Sequence, residues 1–172
     1  MTSTTSPMRL VADSAPLIFL GKLDRLSLLR RLFDAEIVMP RLVRDELLPH
    51  SLPPDERRRL AAFLEGCRIV DPRETESPAA GLSQADNAIL NLAREQHAEV
   101  VISDDRLLRR IAAIEGTGVI GTVGILILAT RRGILTATET ESLLSQLVRH
   151  HSFRISTALY DASLRAIRTG RP

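Results

Sequence analysis

Aromatic side chains are scarce in this sequence: of 172 residues, four are phenylalanine, one is tyrosine and none is tryptophan. A platform of aromatic rings for stacking nucleic-acid bases is therefore poorly supplied. A single cysteine, Cys67, excludes an internal disulfide and any cysteine-based zinc site, and it fits a reducing compartment. Nowhere do eighteen apolar residues run together, so a membrane-spanning helix is not expected. Residues 1–7 are rich in Ser and Thr and lack the basic-then-apolar plan of a signal peptide; they read as a flexible tail ahead of one domain, 8–172. These absences together give a cytoplasmic expectation. Strong charge of one sign is also missing: the formal net charge is +2, which permits nucleic-acid binding without arguing for it, although arginine dominates the cations and clusters at Arg57 to Arg59.

What remains is ordinary globular composition, 44% hydrophobic and 26% charged. A chain of this length buries about 70% of its unfolded surface and needs no staples. Leu10 to Ala12 is a short apolar run ending at Asp13, and Ser14-Ala15-Pro16 opens a helix that Gly21 is expected to end. The leucines from Leu23 to Leu32, with Phe33, then recur at helical spacing. Ile37 to Met39 reads as a strand, Leu42 to Leu48 as a helix, Asp55 to Glu65 as another, and Arg68 to Val70 as a short strand. Asp71 to Gly81 carries Pro72, Pro78 and Gly81 and reads as a loop. After it come a helix from Ser83 to Gln96, a buried strand Val100 to Ile102, a helix Arg106 to Glu115, a strand at Val119-Ile120 and an apolar helix Thr122 to Arg132. Two further helices, parted near Phe153, complete the chain. Alternation of this kind implies one α/β domain, a central parallel sheet sandwiched by helices, with a helical C-terminal portion.

Five acids fall just after those strands or near helix openings: Asp13, Glu46, Asp86, Asp104 and Asp105. In open α/β sheets such positions converge outside the carboxyl ends of the strands. Two unit charges 4 Å apart repel by about 4 kcal/mol at an effective dielectric of 20, so gathered carboxylates need a countercharge. An all-carboxylate set selects hard ions such as magnesium, and that points toward phosphodiester chemistry. Taken singly, each acid also has an ordinary reading. Ser83 and Asp86 have capping-box spacing, Asp13 and Asp104 are placed to cap a helix, and Glu46 fits a solvated face or an ion pair with Arg44 or Lys22. His50, His97, His150 and His151 share no metal spacing, and no Ser-His-Asp relay, P-loop or Gly-x-Gly-x-x-Gly turn occurs.

The ordered set brings a family into view. Val11-Ala12-Asp13-Ser14-Ala15-Pro16-Leu17-Ile18, Gly21-Lys22-Leu23, Met39-Pro40 with Val43-Arg44-Asp45-Glu46-Leu47, Leu82-Ser83-Gln84-Ala85-Asp86, Ile102-Ser103-Asp104-Asp105-Arg106 and Gly121-Thr122-Val123-Gly124-Ile125-Leu126 together resemble PIN-domain proteins, in particular a VapC-like branch. The likeness extends to Phe153-Arg154-Ile155-Ser156 and Leu159-Tyr160. It implies a PIN-like fold and a magnesium- or manganese-dependent endoribonuclease, often the toxin of a toxin–antitoxin pair. It carries catalytic roles onto Asp13, Glu46, Asp86 and Asp105, and metal ligation onto Asp13, Asp86 and Asp105, with Asp104 competing for the last place. Ala85-Asp86 departs from the Gly-Glu often found there, which shortens one carboxylate arm.

On this reading Asp13 and Asp105 ligate directly, while Glu46 and Asp86 act through water or accept its proton. Ser14 and Ser103 orient a ligand or serve as caps. Arg106 and Arg109 are the candidate RNA contacts, with Arg110 beside them. Expected partners are an RNA substrate, an antitoxin protein and a second copy of the chain, since the apolar stretches Leu26 to Phe33 and Val123 to Ala129 either meet a partner or fill the core. A PIN-like module that binds RNA or protein without catalysis is the alternative, and a phosphatase-like acidic pocket is weaker because no Asp-x-Asp start is present.

Overall fold

The computed structural model describes residues 8–77 and 79–169; the tail expected over 1–7 lies outside the described residues, as do residues 170–172. The chain opens with β1 (Met8–Ala12), α1 (Ser14–Lys22) and α2 (Ser27–Leu32), then β2 (Ala35–Met39), α3 (Arg41–Leu47), α4 (Pro54–Leu64) and β3 (Arg68–Ile69). A loop leads to α5 (Gln84–Glu95), β4 (Val100–Ile102), α6 (Arg106–Ile114) and β5 (Gly118–Ile120). Three helices close the fold: α7 (Thr122–Arg131), α8 (Ala137–His150) and α9 (Thr157–Thr169).

All strand pairings are parallel, in the order β3-β2-β1-β4-β5. Leu10 pairs with Ile37 on one side and with Val100 on the other, so β1 is the middle strand. Its last three residues, Leu10, Val11 and Ala12, are wholly buried, as expected of a parallel strand covered on both faces. The chain runs outward from β1 through β2 to β3, then returns to the other side of β1 to lay down β4 and β5. The sheet therefore changes direction between β1 and β4, where the carboxyl ends of the strands leave a crevice. Asp13 N–H donates to the Ile102 carbonyl at 2.9 Å and carries the β1–β4 pairing one step into that crevice.

Local chemistry fixes where the helices begin. Asp13 caps α1, Ser83 and Asp86 form a capping box on α5, Asp105 caps α6, and Thr136 with Glu139 forms a second box on α8. Helix α7 packs against α1, α2, α8 and α9, joining the C-terminal helices to the sheet layer. The apolar residues Leu26, Leu28, Leu29 and Leu32, with Ile125, Leu126 and Ala129 of α7, lie in the core. No helix among the described residues is long and apolar enough to cross a membrane.

One expected element is shorter than its leucine spacing implied. The helix expected from Leu23 is confined to Ser27–Leu32, and α1 runs through Gly21 to Lys22 instead of ending at the glycine. Asp24 adopts a left-handed backbone, φ 55°, which breaks the helix there. Leu23 and Leu26 are nevertheless buried from the turn, so burial rather than helical geometry accounts for their spacing.

Helix α1 packs on α3 and α4, and its Leu17 and Leu20 are both fully buried. Leu20→Ala should lower unfolding free energy by about 2–5 kcal/mol. Ile114→Ala, at a side chain 76% exposed, should change it by less than about 0.5 kcal/mol. Urea denaturation of the two variants checks the contrast.

Candidate active site

The crevice at the sheet's direction change is built around one carboxylate. Asp13 follows the central strand directly and is 8% exposed. Its Oδ1 accepts from Ser14 N–H at 2.6 Å, and its Oδ2 accepts from Ser103 Oγ at 2.8 Å. Ser103 is wholly buried at the end of β4, and the same Oγ accepts from Asp105 N–H at 3.1 Å. Residues 13 and 103 are thus locked together across the β1–β4 seam.

The Ser14 hydroxyl, also buried, extends the cluster toward α3 by donating to Glu46 Oε2 at 2.6 Å, and Ser14 Oγ itself stands 3.4 Å from Asp13 Oδ1. Of the ordinary readings for Glu46, neither the ion pair with Arg44 nor that with Lys22 forms, since Arg44 turns to Asp45. Asp86, half-buried at the start of α5, donates its backbone N–H to Ser83 Oγ at 3.1 Å and accepts from Ser83 N–H through Oδ2 at 2.9 Å. Capping and proximity to Asp13 coexist. Burial pushes the Asp13 carboxyl pKa above the ordinary range, the bonds from Ser103 and Ser14 draw it back, and the charges of Asp86 and Glu46 raise it further.

The two acids of the Ser103-Asp104-Asp105 turn diverge. Asp105 Oδ1 caps α6 by accepting from Leu108 N–H at 2.8 Å, while its backbone reaches the Asp13 cluster through Ser103. Asp104 turns the other way, to the start of α7, where it accepts from Thr122 N–H at 2.8 Å and Thr122 Oγ1 at 2.5 Å. Burial raises its pKa, opposed by the two Thr122 bonds and the nearby Arg109 charge. A methyl group on Gly121 would stand 2.5 Å from Asp104 Oδ1, so this contact requires glycine. Thr122 is a functional partner that residue type did not single out, although Gly121-Thr122 stood in the motif string.

Whether a divalent ion suits this crevice is decided by its donors. The converging groups are hard oxygens with no cationic side chain among those perturbing Asp13, so the pocket is short of positive charge. Among the described residues no three Asp, Glu, His or Cys side chains form a ready-made cage. Magnesium is commonly held by one or two carboxylates with water and substrate phosphate making up the rest, and the donor set fits that habit. Asp13 would hold such an ion, with Glu46 and Asp86 reaching it through water. Cys67 offers no competing nucleophile, because burial pushes its thiol pKa to about 11.

Arg106 and Arg109 line a cleft of about 890 Å³ on the β5 side of the crevice, where Arg154 and the T-shaped ring pair Phe19–Phe153 also lie. Arg110 is exposed on α6 and does not line it.

A family model described as DUF3368: PIN domain matches residues 9–169. No curated protein matches the chain. Among solved structures it is similar to a PilT N-terminus domain protein from the hyperthermophilic archaeon Sulfolobus solfataricus P2, with 18% identity, a TM-score of 0.49, and coverage of 86% of this chain and 100% of that one. It is also similar to a domain of a functionally unknown protein from Methanocaldococcus jannaschii DSM 2661, with 17% identity, a TM-score of 0.43, and coverage of 66% of this chain and 90% of that one.

The raised pKa of Asp13 has a sign that can be tested. The folded protein holds this proton more tightly than the unfolded chain, so ionising Asp13 costs native stability. With divalent ions removed, the stability of the wild type minus that of Asp13→Asn should fall as pH rises from the ordinary carboxylate value through the raised one, then level off. Urea denaturation at pH values between about 4 and 7 measures it. A difference that climbs across that window contradicts the raised pKa.

Proposed function

The chain belongs to the PIN-domain family, and from that premise we propose that it is a magnesium- or manganese-dependent endoribonuclease of the VapC-like kind. The observation that carries the reading is the buried Asp13 carboxylate, fixed by Ser14 and Ser103 at the sheet's direction change with Glu46 and Asp86 beside it.

A bound divalent ion supplies Lewis acidity to the phosphodiester and to the attacking water. The protein's own groups do the rest. Ser14 and Ser103 hold the Asp13 carboxylate in one orientation, which limits its motion as a ligand. Glu46 is exposed and bonded on only one oxygen, so its other oxygen is available to orient water or accept its proton. Asp86 is anchored through Oδ2 to its own helix cap, which sets where Oδ1 is presented. Asp105 reaches Ser103 through its backbone N–H and caps α6 through Oδ1, which leaves its other carboxylate oxygen to serve as a further ligand. Arg106 and Arg109 supply phosphate contacts along the adjacent cleft, with Arg154 extending that basic wall.

We extend the reading to a toxin role with an antitoxin partner and to a homodimer. Co-expression with the product of the adjacent reading frame and sedimentation of the purified chain test these two assignments.

The central test is cleavage of structured and single-stranded RNAs in magnesium, manganese or EDTA, by the wild type and by Asp13→Asn. Cleavage should require metal and should fall by about a hundredfold or more in the variant, with the circular dichroism spectrum unchanged. Full activity in Asp13→Asn sinks the nuclease reading. RNA binding by both proteins without cleavage replaces it with the binding module.

A further inference from the structure

The β4–β5 edge of the crevice is continued past the strand ends by a side chain. The two strands pair from Val100 with Gly118 to Ile102 with Ile120, and Ser103 N–H adds a bond of 3.0 Å to the Ile120 carbonyl. There the main-chain ladder stops. Asp104 supplies the next rung: Oδ1 accepts from Thr122 N–H at 2.8 Å, and Oδ2 accepts from Thr122 Oγ1 at 2.5 Å. Two bonds from one residue to one carboxylate fix its direction as well as its distance, and bonds to an ionised group are roughly twice as strong as neutral ones.

The far end of this tie is shaped for it. Gly121 is the N-cap residue of α7 and has no side chain to cap with, so Asp104 is the partner of the first N–H of that helix. A Cβ at Gly121 would stand 3.2 Å from the Ser103 carbonyl oxygen as well as meeting Asp104. Thr122 is wholly buried, and without Asp104 its hydroxyl would lose this partner away from water.

The tie closes a ring around the acids. Ser103 donates to Asp13, and the chain runs from Ser103 to Asp104, which holds Thr122. Helix α7 packs against α1, and α1 begins at Ser14, whose N–H returns to Asp13. Asp105, the next residue of the turn, rests its N–H on Ser103 Oγ. Asp104 itself faces away from the crevice. The acid charges that act on the Asp13 carboxyl are those of Asp86 and Glu46, whereas the charge that acts on Asp104 is that of Arg109.

We propose that Asp104 is a positioning residue of the metal crevice and not one of its ligands: by holding the β4–α6 turn against the start of α7, it sets where the Ser103 hydroxyl and the Asp105 carboxylate stand. Asp105 is then the ligand that the turn contributes. The inference rests on the divalent-ion reading of the crevice, but not on cleavage of RNA.

The test compares Asp104→Ala, Asp104→Asn, Thr122→Val and the Asp104→Ala/Thr122→Val double variant with the wild type, and uses Asp13→Asn as the ligand-loss control. Asparagine can keep both bonds, because its carbonyl oxygen accepts from Thr122 N–H and its amide donates to the Thr122 hydroxyl. Manganese affinity is read from the electron paramagnetic resonance signal of the free ion, and thermal melting in EDTA reports the fold. At a temperature where it is folded, Asp104→Ala should bind manganese about tenfold or more weakly, and Thr122→Val should weaken binding in the same direction. The double variant should be no worse than Asp104→Ala, and Asp104→Asn should stay within about threefold of the wild type. Asp104→Asn as damaged as Asp13→Asn makes Asp104 a ligand and overturns the proposal. A lowered melting temperature in Asp104→Ala with manganese affinity unchanged leaves only a structural bond and also overturns it. If Asp104→Ala does not fold, weakened binding in Thr122→Val with binding retained in Asp104→Asn supports the proposal, and any other pair of results overturns it. RNA cleavage at saturating manganese is a parallel arm, in which the loss should fall on kcat; a loss confined to KM overturns the assignment. The expected manganese pattern in a protein that cleaves no RNA keeps the positioning role and removes the nuclease. Metal-dependent cleavage with manganese affinity and kcat unaltered in these variants does the reverse, and a wild type that binds no manganese removes both.

Discussion

Asp13 is a carboxylate both forced inward and joined to two strands. β1 is the middle of a parallel sheet, so its first residue beyond the strand emerges between β2 and β4 with helices above and below. The 2.9 Å bond from Asp13 N–H to Ile102 and the 2.8 Å bond from Ser103 Oγ to Asp13 Oδ2 then fix its position. Glu46 is held through Ser14, and Asp105 through Ser103, so both depend on where Asp13 sits. The cost is electrostatic. A carboxylate removed from water beside Glu46 and Asp86 is poorly compensated by the Ser103 hydroxyl and the Ser14 amide, and a site in that condition favours a cation.

The surfaces on either side of the acids differ in shape and charge. One side carries Arg106, Arg109 and Arg154 along a wide cleft, complementary to phosphates. The other side is smaller and mixes apolar walls from Leu42, Pro72 and Ala88 with the polar side chains of Arg41, Asp45, Gln84 and Asn87. Asp104 belongs to the arginine side. Its carboxylate is held by Thr122 at the start of α7 and faces the Arg109 charge, an arrangement that positions α7 against the Ser103 turn.

The arrangement of strands was readable in the sequence because parallel strands are buried on both faces and appear as short apolar runs, as at Leu10 to Ala12 and Val100 to Ile102. Asp13 was readable for the same reason, as the first polar residue after such a run. Asp86 illustrates a limit. Its capping-box spacing is real and the box forms, yet that spacing says nothing of the neighbour across the crevice. The Leu23 to Phe33 stretch shows another, because leucines buried from a turn imitate a helix until a left-handed residue such as Asp24 is placed. The Thr122 contact and the pocket between α3, α5 and the loop after β3 depended on segments far apart in the chain. The polar spacing of Gln84, Asn87 and Asn91 along α5 was the available trace of that pocket, and it was equally consistent with a solvated face.

The most direct measurement is anomalous scattering from a crystal grown with manganese. The account predicts an ion bound at about 2.1 Å from an Asp13 carboxylate oxygen, with Glu46 and Asp86 around it directly or through water. An Asp13 carboxylate left without an ion while manganese binds elsewhere, such as beside Asp45 or Asp71, would contradict it.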